Sequence, residues 1–184
     1  LGNLEALDGL GTDPEWLPSD QAIVFVDNHD TQRSHIGDEI LNYRDGARYE
    51  LAVAFMLAYP YGYPMVMSSY DFEDDDQGPP ESSPHEDNGC RSEWVCEHRN
   101  ATIANMVGFR NAVAGSAVTH WQVDGKVISF GRGDKGHVVI NTGDDDVSLE
   151  LATAMADGDY ENGAVTDGML KITAPALSAT AIRN

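Results

Sequence analysis

The sequence predicts an α/β region with a parallel sheet in its first part and an antiparallel β-domain in its second. Two observations predict this division. Before about residue 114, short apolar runs alternate with a helical pattern, which is the strand–helix–strand order of parallel sheets. After Gly115, short β-type runs are separated by turn residues, a pattern typical of a small sandwich. We therefore divide the 184 residues into domains 1–114 and 115–184.

The first part contains one strand–helix–strand unit. Residues 22–26 are apolar without alternation, which predicts a strand buried on both faces, and residues 64–68 predict a second one. Between them lies a helical pattern with Asp45 as its predicted N-cap and Pro60 as its stop. The apolar stripe of this helix consists of Ala47, Leu51, Ala54, Phe55 and Ala58. Such a unit requires a parallel sheet with helices outside it.

A long acidic loop at 70–97 leads to a predicted helix at 98–113. The acidic run at 71–76 lacks the spaced ligand pattern of a calcium loop, which favours a solvated loop. Asp-Gly pairs at 124 and 167 predict hairpin turns in the β-domain. Its predicted strands are 118–123, 127–130, 137–141, 147–151, 169–173 and 177–182. We expect surface or capping roles for His85, His98, His120 and His137, and a core role for Trp94 and Trp121.

The composition is strongly acidic, with 31 Asp and Glu against 11 Lys and Arg and a net charge of −20. Nucleic acid is therefore excluded as a partner, because phosphate binding needs clustered basic residues. No run of eighteen apolar residues occurs, so no membrane span is expected. The acidity fits either a saline habitat or an ordinary secreted protein. Leu1 opens no signal-peptide pattern, so we expect that the chain starts at an internal cut.

Cys90 and Cys96 are the two cysteines of the chain. Their spacing is not that of a CxxC redox pair, and a second pair that would build a zinc site is missing from the sequence. A short-loop disulfide, worth roughly 2 kcal/mol, is the favoured interpretation, with two buried thiols as the alternative. The disulfide would imply an oxidising compartment.

Asp27, Asn28, His29 and Asp30 follow the first predicted strand at its carboxyl end. In a parallel α/β barrel this is the edge that carries the active site. A carboxylate beside an imidazole can hold polyhydroxylated ligands through charge-assisted hydrogen bonds. Taken alone, the four residues are equally consistent with a cluster that merely caps the strand.

The wider pattern resembles the α-amylase family, family 13 of the glycoside hydrolases. Residues 25–30, Phe-Val-Asp-Asn-His-Asp, resemble the fourth signature region of that family. Further similar segments are 57–62 and 66–70 (end of helix seven and strand eight), 94–99 (the disulfide loop before helix eight) and 128–141 (start of the terminal β-domain). The resemblance implies that domain 1–114 is the C-terminal portion of a (β/α)8 TIM barrel, with strands 7 and 8 and their helices. Domain 115–184 would be the terminal antiparallel β-sandwich.

The resemblance also implies a role for several residues. Asp30 matches the third catalytic carboxylate, which stabilises the transition state, and His29 matches a substrate-binding histidine. His35 matches a further substrate contact in animal-type members. The nucleophile and the general acid/base belong to strands four and five and would lie upstream of Leu1. We thus expect a secreted, extracellular endo-α-1,4-glucan hydrolase of the retaining class, acting on starch or glycogen, that is inactive as this fragment alone.

The resemblance also implies which ions and partners the parent protein binds, and it leaves alternative functions open. Chloride-dependent members use an Asn that matches Asn28 and a basic residue that matches Met65, so we expect no chloride activation. Structural Ca²⁺ is implied for the parent protein, with ligands mainly upstream. We expect α-glucan as the partner and a monomer when intact. The alternatives are another superfamily hydrolase or transglycosylase, or an amylase-like protein that binds carbohydrate without cleaving it.

Overall fold

The computed structural model describes residues 3–33, 40–86, 89–90 and 93–184. Within these residues the helices are α1 (Ala47–Ala58) and α2 (Ala101–Ala112), with 3-10 turns at Leu4–Leu7, Ser19–Gln21, Tyr43–Asp45 and Glu97–Arg99. The first four strands are β1 (Ile23–Val24), β2 (Tyr63–Pro64), β3 (His85–Glu86) and β4 (Gly89–Cys90). The others are β5 (Val118–Asp124), β6 (Val127–Arg132), β7 (Gly136–Asn141), β8 (Val147–Ala152), β9 (Gly158–Tyr160), β10 (Gly163–Thr166), β11 (Met169–Ala174) and β12 (Ser178–Arg183).

Strands β1 and β2 pair in parallel with α1 between them, which confirms the predicted strand–helix–strand unit. The predicted strand lengths were wrong, because each strand has only two residues. Burial on both faces was also wrong, since Ile23 is 64% and Phe25 is 48% exposed. The reason is that β1 pairs with β2 alone among the described residues, so its other side lacks a neighbouring strand.

Helix α1 begins later than the N-cap prediction at Asp45, which was wrong. Asp45 instead accepts a hydrogen bond from the backbone amide of Asn42 at 2.9 Å. Asn42 in turn caps the 3-10 turn before the helix, and Gly46 reverses the chain with a φ of 56°. The helix ends at Ala58, as Pro60 predicts, and buries more than one stripe. Its buried residues are Tyr49, Leu51, Val53, Ala54, Leu57 and Ala58.

Helix α2 confirms the predicted second helix but begins at Ala101 rather than at 98. Asn100 determines this start, because its side chain accepts hydrogen bonds from the backbone amides of Thr102 and Ile103. The preceding residues form the 3-10 turn Glu97–Arg99.

The β-domain is an antiparallel sandwich, as predicted. One sheet has the order β12-β7-β6-β5 and the other has the order β8-β11-β10-β9. Strands β9 and β10 are absent from the prediction because their Gly- and Asp-rich segments carry little apolar signal. Both Asp-Gly pairs lie in hairpin turns with positive φ at Gly125, Asp167 and Gly168.

His137 on β7 lies in the interior of the β-domain, so its predicted surface or capping role was wrong. The residue is fully buried, and its Nδ1 lies 3.3 Å from the hydroxyl of Thr153. Burial lowers the pKa of His137 to about 4, with a further lowering from His120. All six residues of β7 are buried, so its imidazole lies in the interior whichever face it points to.

The two parts of the chain share one hydrophobic core. Apolar residues of α1 and α2 pack against Ile128, Phe130 and Ile140 of the β-domain. Trp121 contributes to this core and stacks on Phe130 with ring centroids 5.3 Å apart. The architecture changes from helix to sheet between α2 and β5, and the division at residue 114 stays a prediction. Neither helix in the described part of the chain has the length and apolar character needed to cross a membrane.

Candidate active site

A tight turn after β1 carries the candidate catalytic residues. The side-chain oxygen of Asn28 accepts hydrogen bonds from the backbone amides of Asp30 and Thr31, each at 2.9 Å. The Thr31 hydroxyl accepts from the Asn28 amide at 2.8 Å. The Gln32 amide donates to the Asn28 carbonyl at 3.1 Å and closes the turn. Short polar residues build such turns by bonding their own backbone.

His29 and Asp30 project from this turn towards solvent. Their side chains are 73% and 66% exposed, and the Nε2 of His29 lies 3.5 Å from the Oδ1 of Asp30. The structure therefore brings these two predicted residues together at the carboxyl end of β1. A carboxylate and an imidazole in this arrangement can accept from and donate to sugar hydroxyls. His35, the third predicted substrate contact, lies outside the described residues.

Below the turn, the carboxylate of Asp27 is buried, and each of its two oxygens accepts a hydrogen bond. It accepts hydrogen bonds from the side-chain amide of Gln32 at 2.5 Å and from the hydroxyl of Tyr49 at 3.0 Å. Burial raises the pKa of Asp27, and the charge of Glu97 raises it further, whereas the two hydrogen bonds lower it. Burial and the nearby carboxylates also raise the pKa of Tyr49, so its hydroxyl remains a donor.

The same buried network continues to Glu97. The Gln32 amide also donates to the hydroxyl of Ser69 at 2.6 Å. Ser69 passes two hydrogen bonds on to the carboxylate of Glu97, one from its backbone amide at 2.7 Å and one from its hydroxyl. Asp27, Gln32, Ser69 and Glu97 are all buried. We call these four residues with Tyr49 the buried network.

Arg33 connects the turn to the acidic loop. Its guanidinium donates to the Tyr70 hydroxyl at 2.6 Å and to the backbone carbonyls of Asp75 and Gln77. It also lies 4.5 Å from the ring of Phe72, and the guanidinium of Arg44 lies 4.1 Å from the same ring. Two cation–π contacts on one ring therefore hold the described part of this loop beside the turn.

Cys90 and Cys96 are joined by a disulfide, with their Cα atoms 6.2 Å apart. Cys96 is buried, has a left-handed backbone with φ 55°, and directly precedes Glu97. The backbone amide of Val95 donates to the carbonyl of Ser69 at 2.8 Å. The disulfide thus lies at the far end of the buried network.

Asn28 and Met65 are the two positions matched to a chloride site. The side-chain oxygen of Asn28 is used by its own turn, and the uncharged Met65 is 52% exposed. Among the residues that the structure describes, no group of three or more His, Cys, Asp or Glu is arranged to hold a metal.

The sequence analysis predicted neither the buried network nor the contacts of Arg33. Asp27 at the end of an apolar run was a usable signal, because a carboxylate there has to find buried donors. Tyr49, Ser69 and Glu97 gave none, since only the tertiary fold brings their elements together.

Comparison with known proteins agrees with this architecture. Residues 120–171 match the family model of the α-amylase C-terminal all-β domain. The chain is 44% identical over 177 residues to an α-amylase-related protein of Drosophila punjabiensis, covering 90% of this chain and 35% of that protein. A similar relative from Drosophila teissieri is 45% identical over 177 residues, covering 90% of this chain and 36% of its own length.

Solved structures extend the match to the three-dimensional level. Wild-type α-amylase I of Eisenia fetida superimposes with a TM-score of 0.87 at 31% identity, covering 98% of this chain and 45% of that one. Its E249Q mutant, in a complex with maltohexaose, gives a TM-score of 0.86 at 32% identity and the same coverage. The fold is therefore part of a barrel followed by a β-domain, as in a glycoside hydrolase.

The chain belongs to the α-amylase family, family 13 of the glycoside hydrolases. It spans about a third of the length of the curated relatives that it matches, 35% in the first of them.

Proposed function

We propose that this chain is part of a longer, secreted α-amylase that hydrolyses internal α-1,4 bonds of starch or glycogen with retention of configuration. One observation carries the proposal: Asp30 and His29 project side by side from the turn at the carboxyl end of β1. That edge is where barrel enzymes place their catalytic groups. The complex of the Eisenia fetida mutant with maltohexaose supports an α-glucan as substrate.

In this proposal Asp30 and His29 hydrogen-bond the hydroxyls of the sugar at the scissile bond. A carboxylate here favours the positive charge that develops on the sugar in the transition state. Its negative charge would also raise the pKa of a neighbouring carboxylic acid and keep that acid protonated for the leaving group. His35 is proposed as a further substrate contact. The nucleophile and the general acid/base are contributed by residues outside this sequence.

Several further properties belong to the same proposal. The Cys90–Cys96 disulfide supports an extracellular location, because such bonds persist in oxidising compartments. We propose that structural Ca²⁺ is held by residues outside this sequence, and that the intact enzyme is a monomer that works without chloride.

A different function is favoured by one observation, the word "related" in the names of the Drosophila proteins. Such a protein could have a different linkage preference, catalyse glycosyl transfer, or bind α-glucan without cleaving it. The upstream sequence discriminates these functions, because hydrolysis and transfer both need a nucleophile and an acid/base carboxylate that a binding protein lacks.

The test uses the full-length protein with maltohexaose as substrate. Wild type should release maltooligosaccharides that are α-anomers when first formed, which proton NMR detects before mutarotation. Asp30→Asn should lower kcat by several orders of magnitude with a smaller change in KM, because the lost interaction belongs to the transition state. A change confined to KM would contradict the assigned role, and β-anomers would contradict retention.

A further inference from the structure

The buried network forms a continuous path from the disulfide loop to the turn that carries Asp30. It starts at Glu97 next to Cys96, passes through Ser69 in the segment that follows β2, and reaches Gln32. Gln32 is two residues from Asp30 in the same turn. The network therefore touches the candidate catalytic carboxylate only through the backbone.

Gln32 and Asp27 clamp the turn at its two ends. Their side chains meet at 2.5 Å, and the four residues between them are closed by their own hydrogen bonds. The position of Asp30 thus depends on where Gln32 is held. Gln32 in turn uses both protons of its amide, one for Asp27 and one for Ser69.

Glu97 determines the orientation of Ser69. Both oxygens of its carboxylate accept from Ser69, one from the backbone amide and one from the hydroxyl. The Ser69 hydroxyl proton therefore points at Glu97, and the oxygen keeps its lone pairs for Gln32. Donation therefore diverges from Gln32, directly to Asp27 on one side and through Ser69 to Glu97 on the other, and Tyr49 also donates to Asp27.

Burying two carboxylates in one network lowers the free energy of unfolding, because both lose their contact with water. Desolvation of a carboxylate costs several kcal/mol, and apolar residues of similar volume are often as stable or more so. Because the network lies directly beneath the Asp30 turn, its role is to fix the position of that turn and not only to fill the core.

We propose that Gln32, Ser69 and Glu97 are positioning residues that hold Asp30 in the geometry that the transition state requires. This inference rests on the proposed glycosidase function and names residues that act through Asp30. Because their side chains are buried, they would act without touching substrate. Misplacement of a catalytic group by about 1 Å can cost on the order of 100-fold in rate.

The experiment is a double-mutant cycle in the full-length enzyme. Ser69→Ala removes the hydroxyl between Gln32 and Glu97 with almost no change of volume. We expect it to lower kcat on maltohexaose by about 10- to 100-fold with KM within about twofold. The cycle is then measured with an activated α-maltosyl fluoride in both backgrounds, where Ser69→Ala should lower kcat clearly in the Asp30 enzyme and less than about twofold in an Asp30→Asn background. Two groups that act as one unit give such non-additive losses.

The matched control is Ser68→Ala. The Ser68 hydroxyl oxygen is buried as well, in a half-buried residue adjacent in sequence, and it has no hydrogen-bond partner among the described residues. Its loss should leave kcat within about twofold of wild type. If Ser69→Ala does not fold, Glu97→Gln serves as the second variant, because its amide nitrogen cannot accept from Ser69.

Each outcome has one meaning. Equal losses of kcat for Ser69→Ala in both backgrounds, or no loss in either, would overturn the positioning role and leave the proposed function intact. A wild type without glycosidase activity, or an Asp30→Asn variant as active as wild type, would overturn the proposed function, and this inference with it.

Discussion

The guanidinium of Arg33 lies 4.5 Å from the ring of Phe72 and ties the acidic loop to the turn of the candidate site. Arg33 follows Asp30 by three residues, and its amide donates to the Asp30 carbonyl at 3.1 Å. The loop and the turn are thus ordered together. One face of the candidate site is built from residues that are far apart in sequence.

This contact predicts that Arg33→Lys loosens the loop. A lysine cannot reproduce the stacking on Phe72 together with several donors in one plane. We expect faster amide hydrogen exchange at 71–77 and unchanged exchange in the β-sandwich. Lys135→Arg, at an exposed hydrogen bond to Ala114, is the control and should leave the loop unaffected.

The 184-residue chain by itself should not hydrolyse starch. The proposed mechanism needs a nucleophile and an acid/base that this chain does not supply, and Asp30 alone cannot form a glycosyl intermediate and protonate the leaving group. Reducing-sugar release should match that of an Asp30→Asn control of the same chain. Release well above that control would show that other carboxylates in this chain perform the chemistry.

How much the sequence could predict depended on how local each signal was. The Asp-Gly hairpins, the end of α1 before Pro60 and the polar cluster after β1 are determined by neighbouring residues, and the structure confirms them. The Ser69–Glu97 contact joins residues 28 positions apart, and the burial of His137 depends on how the two sheets of the sandwich pack. A short sequence pattern predicts neither of them. The overestimated strands 22–26 and 64–68 have the same origin, because strand length depends on partners on both sides.

The disulfide makes a prediction about the site as well as about the cysteines. Mass spectrometry of unreduced proteolytic fragments of the full-length protein should find Cys90 linked to Cys96. Reduction should increase amide exchange around 93–100, because Cys96 holds a left-handed backbone directly before buried Glu97. Cys90→Ser with Cys96→Ser should reproduce the effect. Two freely alkylated thiols in the protein before reduction would contradict the pairing.

His137 predicts a loss of stability in mild acid. Its pKa is about 4 in the folded chain and about 6.5 when unfolded, so the unfolded state binds the proton more tightly between these values. The free energy of unfolding should therefore fall as pH drops from 6.5 towards 4, by roughly 3 kcal/mol in total from this residue.

Urea unfolding at several pH values tests this. His137→Gln should flatten the pH dependence in that window even if it lowers stability at pH 7, whereas exposed His120→Gln should keep most of it. Asp27 acts with the opposite sign, since its raised pKa favours the folded state on protonation, so each variant is compared with wild type at the same pH. A slope unchanged in His137→Gln would show that the imidazole is not buried in its neutral form.

Chloride should not activate the full-length enzyme. Asn28 retains one polar ligand of the family's anion site, through its side-chain N–H groups, but Met65 brings no positive charge. A buried anion without a cationic partner costs several kcal/mol, so the site should remain weak. Sodium chloride, nitrate and gluconate at equal ionic strength should then have the same effect on kcat, through screening of the −20 charge of this region.

Met65→Arg, which restores the matched cation, is the informative variant and should introduce a saturable response to millimolar chloride that gluconate does not reproduce. A saturable chloride response in the wild type would show that another basic residue completes the anion site.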